Sequence, residues 1–218
     1  MYHSHEMSLQ LTHLSHDAVH QLAPSFSGLP KTTHADGNYR LRRYSVIRIV
    51  NEKIIETNKH NFVQSEDINH FQGDVLREFE AIESGILHSD GMLEMCQIFM
   101  DLNDLPNGQE IEIHQMRIAA IYDETEIAPE GVHQDGFDHI AIIGIDRSNI
   151  DGGELLVYEN SDETPFFKKI LADGDVALVD DRKLWHNGKP IRLIDQQKEG
   201  HMDVFVLTAK DNVDEFHS

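Results

Sequence analysis

A histidine and an aspartate two residues apart on an extended chain point to the same side and can share one cation. Joined by one distant histidine, such a pair forms a two-histidine, one-carboxylate set that leaves coordination positions open. The chain contains four His-x-Asp pairs: His34/Asp36, His88/Asp90, His133/Asp135 and His201/Asp203. Fifteen histidines and 21 aspartates in 218 residues supply one or two such pairs by chance, so context must choose. His34/Asp36 falls in a Gly/Asn turn, and Asp90 suits the start of a helix. His201/Asp203 opens the last strand pattern, with only the terminal His217 beyond it. His133/Asp135 lies between two strong strand patterns, and Trp185-His186-Asn187-Gly188 follows 51 residues after Asp135. A barrel would bring those segments to one mouth, which makes His133, Asp135 and His186 the candidate metal ligands. The spacing alone admits zinc, manganese, nickel or iron.

The elements that must position these residues follow from hydrophobic pattern. Residues 1–38 are polar and hold six histidines, with a short helical pattern over His16–Leu22. Tyr39–Val50 reads as a strand carrying Arg40, Arg42, Arg43 and Arg48, four of the nine arginines, with 40, 42 and 48 on one face. Val75, Leu76, Phe79, Ile82 and Ile86 follow helical spacing within Gly73–Leu102, and a second helical run covers Leu93–Leu102. Beyond Asn107-Gly108 the expected strands are Glu110–Tyr122, His139–Asp146, Gly153–Glu159, Asp175–Asp180 and Asp203–Lys210. Helices followed by five strands without helices between them predict an α+β, mainly β fold. The expected form is one domain over 1–218: a cupin-like jelly roll over about 108–210 with flanking N-terminal helices.

Charge and composition exclude several function classes. Eighteen Lys and Arg against 39 Asp and Glu leave a net charge of −21, which disfavours nucleic-acid backbones and anionic membranes. The single cysteine, Cys96, can make no internal disulfide, and no basic-then-apolar leader opens the chain. No apolar run is long enough to span a bilayer. A cytoplasmic protein is expected, with a homodimer left open.

Several motifs together resemble the bacterial Fe(II)/2-oxoglutarate-dependent dioxygenase family that includes free L-isoleucine hydroxylases. The matching segments are Arg-Leu-Arg-Arg-Tyr-Ser at 40–45, His114-Gln115-Met116-Arg117, His133-Gln134-Asp135, Asp151-Gly152-Gly153-Glu154, His186 with Pro190, and Asp203–Thr208. They occur in family order over about residues 38–210. The resemblance implies a double-stranded β-helix, Fe(II) on His133, Asp135 and His186, 2-oxoglutarate as cosubstrate, and O₂ as oxidant. It further implies hydroxylation of a small polar substrate, a free amino acid before others. At one position the chain departs from the family: Met202 stands where members carry an arginine that pairs with the distal carboxylate of 2-oxoglutarate. A thioether cannot replace a guanidinium fork.

Arg192, six residues after His186, is the nearest candidate for that role, or else an exposed loop residue. Arg117, His114 and Arg42 are candidate substrate contacts, although Arg117 could equally form an internal ion pair, His114 satisfy a neighbouring hydrogen bond, and Arg42 with Arg40 and Arg43 offset local negative charge. Cys96, patterned with Met92, Met95 and Phe99, reads as core. Loops around 123–131 and 160–170 would set substrate choice. Two alternatives stand beside the hydroxylase: a cupin-like metal oxygenase that uses no 2-oxoglutarate, and a non-catalytic metal- or ligand-binding protein on the same fold.

Overall fold

The computed structural model describes residues 8–32, 37–57, 59, 61–63 and 76–211. Seven antiparallel strands form the main sheet: β1 (Leu9–His13), β2 (Arg40–Val50), β3 (Lys53–Glu56), β6 (Glu110–Ala119), β7 (His139–Ser148), β11 (Asp175–Asp180) and β14 (His201–Ala209). Their spatial order is β1-β11-β7-β14-β6-β2-β3. A second sheet orders β10 (Phe167–Lys169), β9 (Leu155–Tyr158) and β12 (Trp185–Gly188), and β8 (Ile150–Gly152) pairs with β13 (Ile191–Leu193). A final pair joins β4 (Asn61–Val63) to β5 (Leu76–Glu78). This is the mainly β jelly roll expected from the strand pattern.

The main sheet separates two environments, because side chains alternate across it. One face packs beneath the helices α1 (His16–Leu22) and α3 (Asp90–Leu102). There Ile111, Ile113, Ile143, Phe205 and Leu207 meet Leu22 and Phe26 of the first helical segment. Met92, Met95, Cys96 and Phe99 repeat at i, i+3, i+4, i+7 and supply the buried stripe of α3. Each helix starts at a serine: the Ser15 hydroxyl accepts from the Ala18 amide and that of Ser89 from the Met92 amide. Ser15 also donates to Glu94 from its amide and its hydroxyl, at 2.8 and 2.7 Å, tying α1 to α3. No described helix is long and apolar enough to cross a membrane. The opposite face lines a cavity and carries polar groups.

Two expectations need correction. The helical pattern expected from Gly73 fails at the start of its described part: Leu76–Glu78 is strand β5, and the first helix there is the short α2 (Ser84–Leu87), with α3 following as expected. Phe79 and Ile82 are still buried, but irregular, non-helical backbone carries them, anchored by Tyr44 N–H to Glu80 O at 2.9 Å and Ile82 N–H to Ser45 Oγ at 3.0 Å. Tertiary pairing along β2 overrides the periodicity. The polar N-terminal segment also contributes a strand, β1, which adds to the sheet edge through Leu9↔Val179 to His13↔Asp175. His34, Asp36 and Val75 lie outside the described residues, as do His3, His5 and His217.

The pairing of β14 with β7 contains a bulge. Asp203 faces Asp146 but Val204 faces Gly144, so Ile145 has no residue opposite. Gly144 lies where the sheet meets the segment before β11: a Cβ on it would stand 2.5 Å from both the carbonyl carbon and oxygen of Leu171. Gly144→Ala is therefore expected to lower unfolding free energy by about 1–3 kcal/mol in urea titrations. An unchanged midpoint would mean that the Leu171 backbone yields at no cost.

Candidate metal centre

The loop before β7 and the strand β12 meet at two residues. His133 and His186 exchange backbone N–H···O bonds, both at 2.9 Å, which brings their rings to a centroid separation of 4.3 Å. Asp135 lies between them, Oδ1 at 3.2 Å from His133 Nε2 and Oδ2 at 3.2 Å from His186 Nε2. The structure thus brings the three expected ligands together, with one ligand atom from each within 4.8 Å of the others. His133 Nδ1 is 2.7 Å from the Gly131 carbonyl oxygen, so this nitrogen carries the proton and Nε2, beside Asp135, is the one available to a metal. Two imidazole nitrogens and a carboxylate gathered on one side suit a divalent first-row metal with open positions.

Asp181 holds this arrangement and no sequence pattern pointed to it. Buried to 2% exposure, its carboxylate accepts from the amides of Asp135, Gly136 and Phe137 at 3.0, 2.8 and 3.0 Å. Its Oδ1 is also 4.0 Å from His186 Nδ1. Burial, and then the neighbouring charge of Asp135, raise its pKa. Around the ligands the balance reverses. Burial resists ionisation of Asp135, yet His186 and His133 hold its carboxyl well below the usual range. Burial likewise opposes a charged His133, but Asp135 and Glu130 push its pKa up to about 9.

Glu130 is a second residue that sequence reasoning missed. Its Oε1 is 3.1 Å from His133 Nε2, while Oε2 is buried without a hydrogen-bond partner. Glu130 lines the cavity with the three ligands, as do Arg40, Arg42 and His114 on the facing sheet and Met202 on β14. Arg42 sits 4.9 Å over the Phe79 ring, and His114 packs on Tyr44 at 4.8 Å.

Two expected binding residues lie elsewhere. Arg117 occupies the other side of β6 and makes two bonds to Asp203, at 2.8 and 2.9 Å. The carboxylate it meets belongs to the protein, so the ion-pair alternative holds. That guanidinium also fills a second acidic group, Asp146, His201 and Asp203, leaving the fourth His-x-Asp pair as part of an ion-pair cluster. Arg192 is 45% exposed and pairs with Asp151 at 3.1 Å and Glu124 at 3.5 Å, away from the cavity. It is the exposed loop residue of the two readings. Cys96 is fully buried, and burial pushes its thiol up to about 12.

Two measurements follow from this geometry. Since metal must displace the proton that His133 holds below pH 9, binding at pH 7 is expected to release a proton. Affinity then rises about tenfold per pH unit toward that pKa. Calorimetry in buffers of differing ionisation enthalpy reads this directly, and heats independent of buffer would contradict it. Arg117→Met leaves Asp203 buried without its cation, an expected loss of about 3 kcal/mol in stability. Metal affinity should stay unchanged, as measured on the folded variant.

Comparison with known proteins gives the family. The sequence profile of the 2OG-Fe dioxygenase family matches residues 23–208. Comparison with curated proteins gives no match. Among solved structures, a bsmA homolog from Methylobium petroleophilum superposes with a TM-score of 0.76 at 25% identity, covering 90% of this chain and 82% of that one. IDO from Bacillus thuringiensis gives 0.71 at 19% identity, covering 90% and 83%. The Fe(II)/α-ketoglutarate-dependent dioxygenase TqaL gives 0.64 at 13% identity, covering 95% and 84%, a likeness of fold. With the profile spanning most of its length, the chain belongs to the 2OG-Fe dioxygenase family, non-haem iron enzymes that use Fe(II), 2-oxoglutarate and O₂.

Proposed function

We propose that the protein hydroxylates a free amino acid at an Fe(II) centre held by His133, Asp135 and His186, and that 1–218 acts as one catalytic domain. The observation that carries this reading is a cavity with walls of opposite charge. Arg40 and Arg42, 9% and 3% exposed, line it on β2, and the Glu130 carboxylate lines it beside the ligands. Met116, Ile127 and Val204 supply apolar surface in the same cavity. A buried cation and a buried anion each favour an opposite charge. A zwitterion with an aliphatic side chain satisfies both and fills the apolar part.

In this reading Arg42, held over Phe79, takes the substrate carboxylate, with His114 beside it. Glu130 takes the ammonium group. The bound iron supplies the chemistry that couples decarboxylation of 2-oxoglutarate to hydroxylation of a C–H bond. The chain's residues orient the substrate and exclude water from that chemistry. The sequence resemblance to free L-isoleucine hydroxylases supports an aliphatic amino acid. The lone, buried Cys96 supports a cytoplasmic setting.

The test is anaerobic first and aerobic second. Fe(II) with 2-oxoglutarate should give a weak visible charge-transfer band in the wild type and none in His133→Ala. In air, succinate formation should rise when aliphatic amino acids are supplied. Arg42→Met should raise KM for the stimulating amino acid about 30-fold or more, leaving the anaerobic band in place. If no free amino acid stimulates turnover while the band is present, the substrate assignment fails and the iron site stands.

A further inference from the structure

Met202 lines the cavity where the resembled family carries an arginine, and Arg192 lies outside it. From its surroundings we infer that Arg147 holds the distal carboxylate of 2-oxoglutarate, so that the guanidinium has moved one strand sideways. The inference rests on 2-oxoglutarate as cosubstrate, which family membership supplies, and is independent of the substrate proposed above.

Register carries the first part. Met202 on β14 lies directly opposite Arg147 on β7, and on its other side opposite Ile118 of β6, which in turn faces Arg40 of β2. Residues directly opposite in adjacent strands share a face. Met202 lines the cavity, so Arg147 leaves the sheet on the same face, behind Gly153 rather than in the lining itself. Simple alternation along β7 gives the reverse answer: Ile143 and Ile145 have the parity of Arg147 and pack under the helices. The bulge at Ile145 changes the alternation by one residue and turns Arg147 to the cavity side.

The guanidinium is also poised. Its Nη2 donates to the Gly152 carbonyl at 2.8 Å, which fixes the group. Its Nη1 is buried without a hydrogen-bond partner. A charged donor removed from water needs an acceptor, and an anion is the acceptor that satisfies it best. Between Nη1 and the cavity stands Gly153, at φ +80°, itself part of the cavity wall. A Cβ on Gly153 would lie 3.5 Å from Arg147 Nη1, 3.1 Å from Met202 Sδ and 2.9 Å from Ile191 Cγ2. The missing side chain leaves Nη1 within reach of a carboxylate in the cavity. Met202 and Ile118 separate the two arginines along this row.

The experiment titrates the Fe(II)-loaded protein anaerobically, following the charge-transfer band, with 2-oxoglutarate and with pyruvate, which lacks the distal carboxylate. Arg147→Met should raise the Kd for 2-oxoglutarate about 30-fold or more. Pyruvate binding and Fe(II) affinity should not change. Arg147→Lys, which keeps the charge without the fork, should bind 2-oxoglutarate with intermediate affinity and covers the case in which the methionine variant does not fold. Adding Met202→Arg to Arg147→Met should restore 2-oxoglutarate binding. Equal weakening of both ligands, unchanged binding in Arg147→Met, or the same selective loss in Arg40→Met but not in Arg147→Met, would overturn the assignment.

Discussion

The reciprocal backbone bonds between His133 and His186 close this fold where its chemistry is placed. They join a loop to a short strand through two of the candidate metal ligands, so the same contact completes the barrel and sets the distance between two imidazoles. Asp181 completes the constraint from behind by collecting three amides of the following turn on one carboxylate. Such a turn has its donors satisfied before any ligand arrives. Asp135 is therefore presented by a rigid loop, and the site needs little reorganisation to accept a metal.

The sheet carries two unlike burdens. Its helix-facing side is mainly apolar, packed by α1, the adjoining 3₁₀ turn Ala23–Gly28 and α3, with Gln115 bonded to Ser25 and the Arg117–Asp203 pair toward one end. Its cavity side buries Arg40, Arg42 and His114, opposite Glu130, Asp135 and His186. Polar burial of that kind costs stability, and the apolar layer on the other face offsets it. Separating the two across one sheet lets each face be packed without compromise, since adjacent residues of a strand answer to different neighbours.

Much of this was legible in the residues. The five later strands and α1 announced themselves through alternation and periodicity, and His133, Asp135 and His186 stood out because only that pair lay between strong strands. What escaped reading depends on distance in sequence. Asp181 takes its meaning from a loop 44 to 46 residues earlier. Glu130 stands beside the ligands but in a stretch with no strand pattern. Arg117 shows its partner, Asp203, only once β6 and β14 are paired. Phe79 and Ile82 have helical spacing, yet their non-helical segment is bonded to β2, an interaction that no local pattern carries.

The bulge between β7 and β14 has a different kind of consequence. On most strands the identity of a side chain decides what it contributes; from Gly144 to Arg147 the pairing decides it. Pairing every residue there without the bulge would set Asp146 opposite Met202, exchange the two faces beyond Gly144 and turn Arg147 away from the cavity side. Any amino acid that tolerates a bulge could stand at 145, because what matters is that it is left out of the ladder. That stretch of the protein is a spacer whose pairing is part of its chemistry.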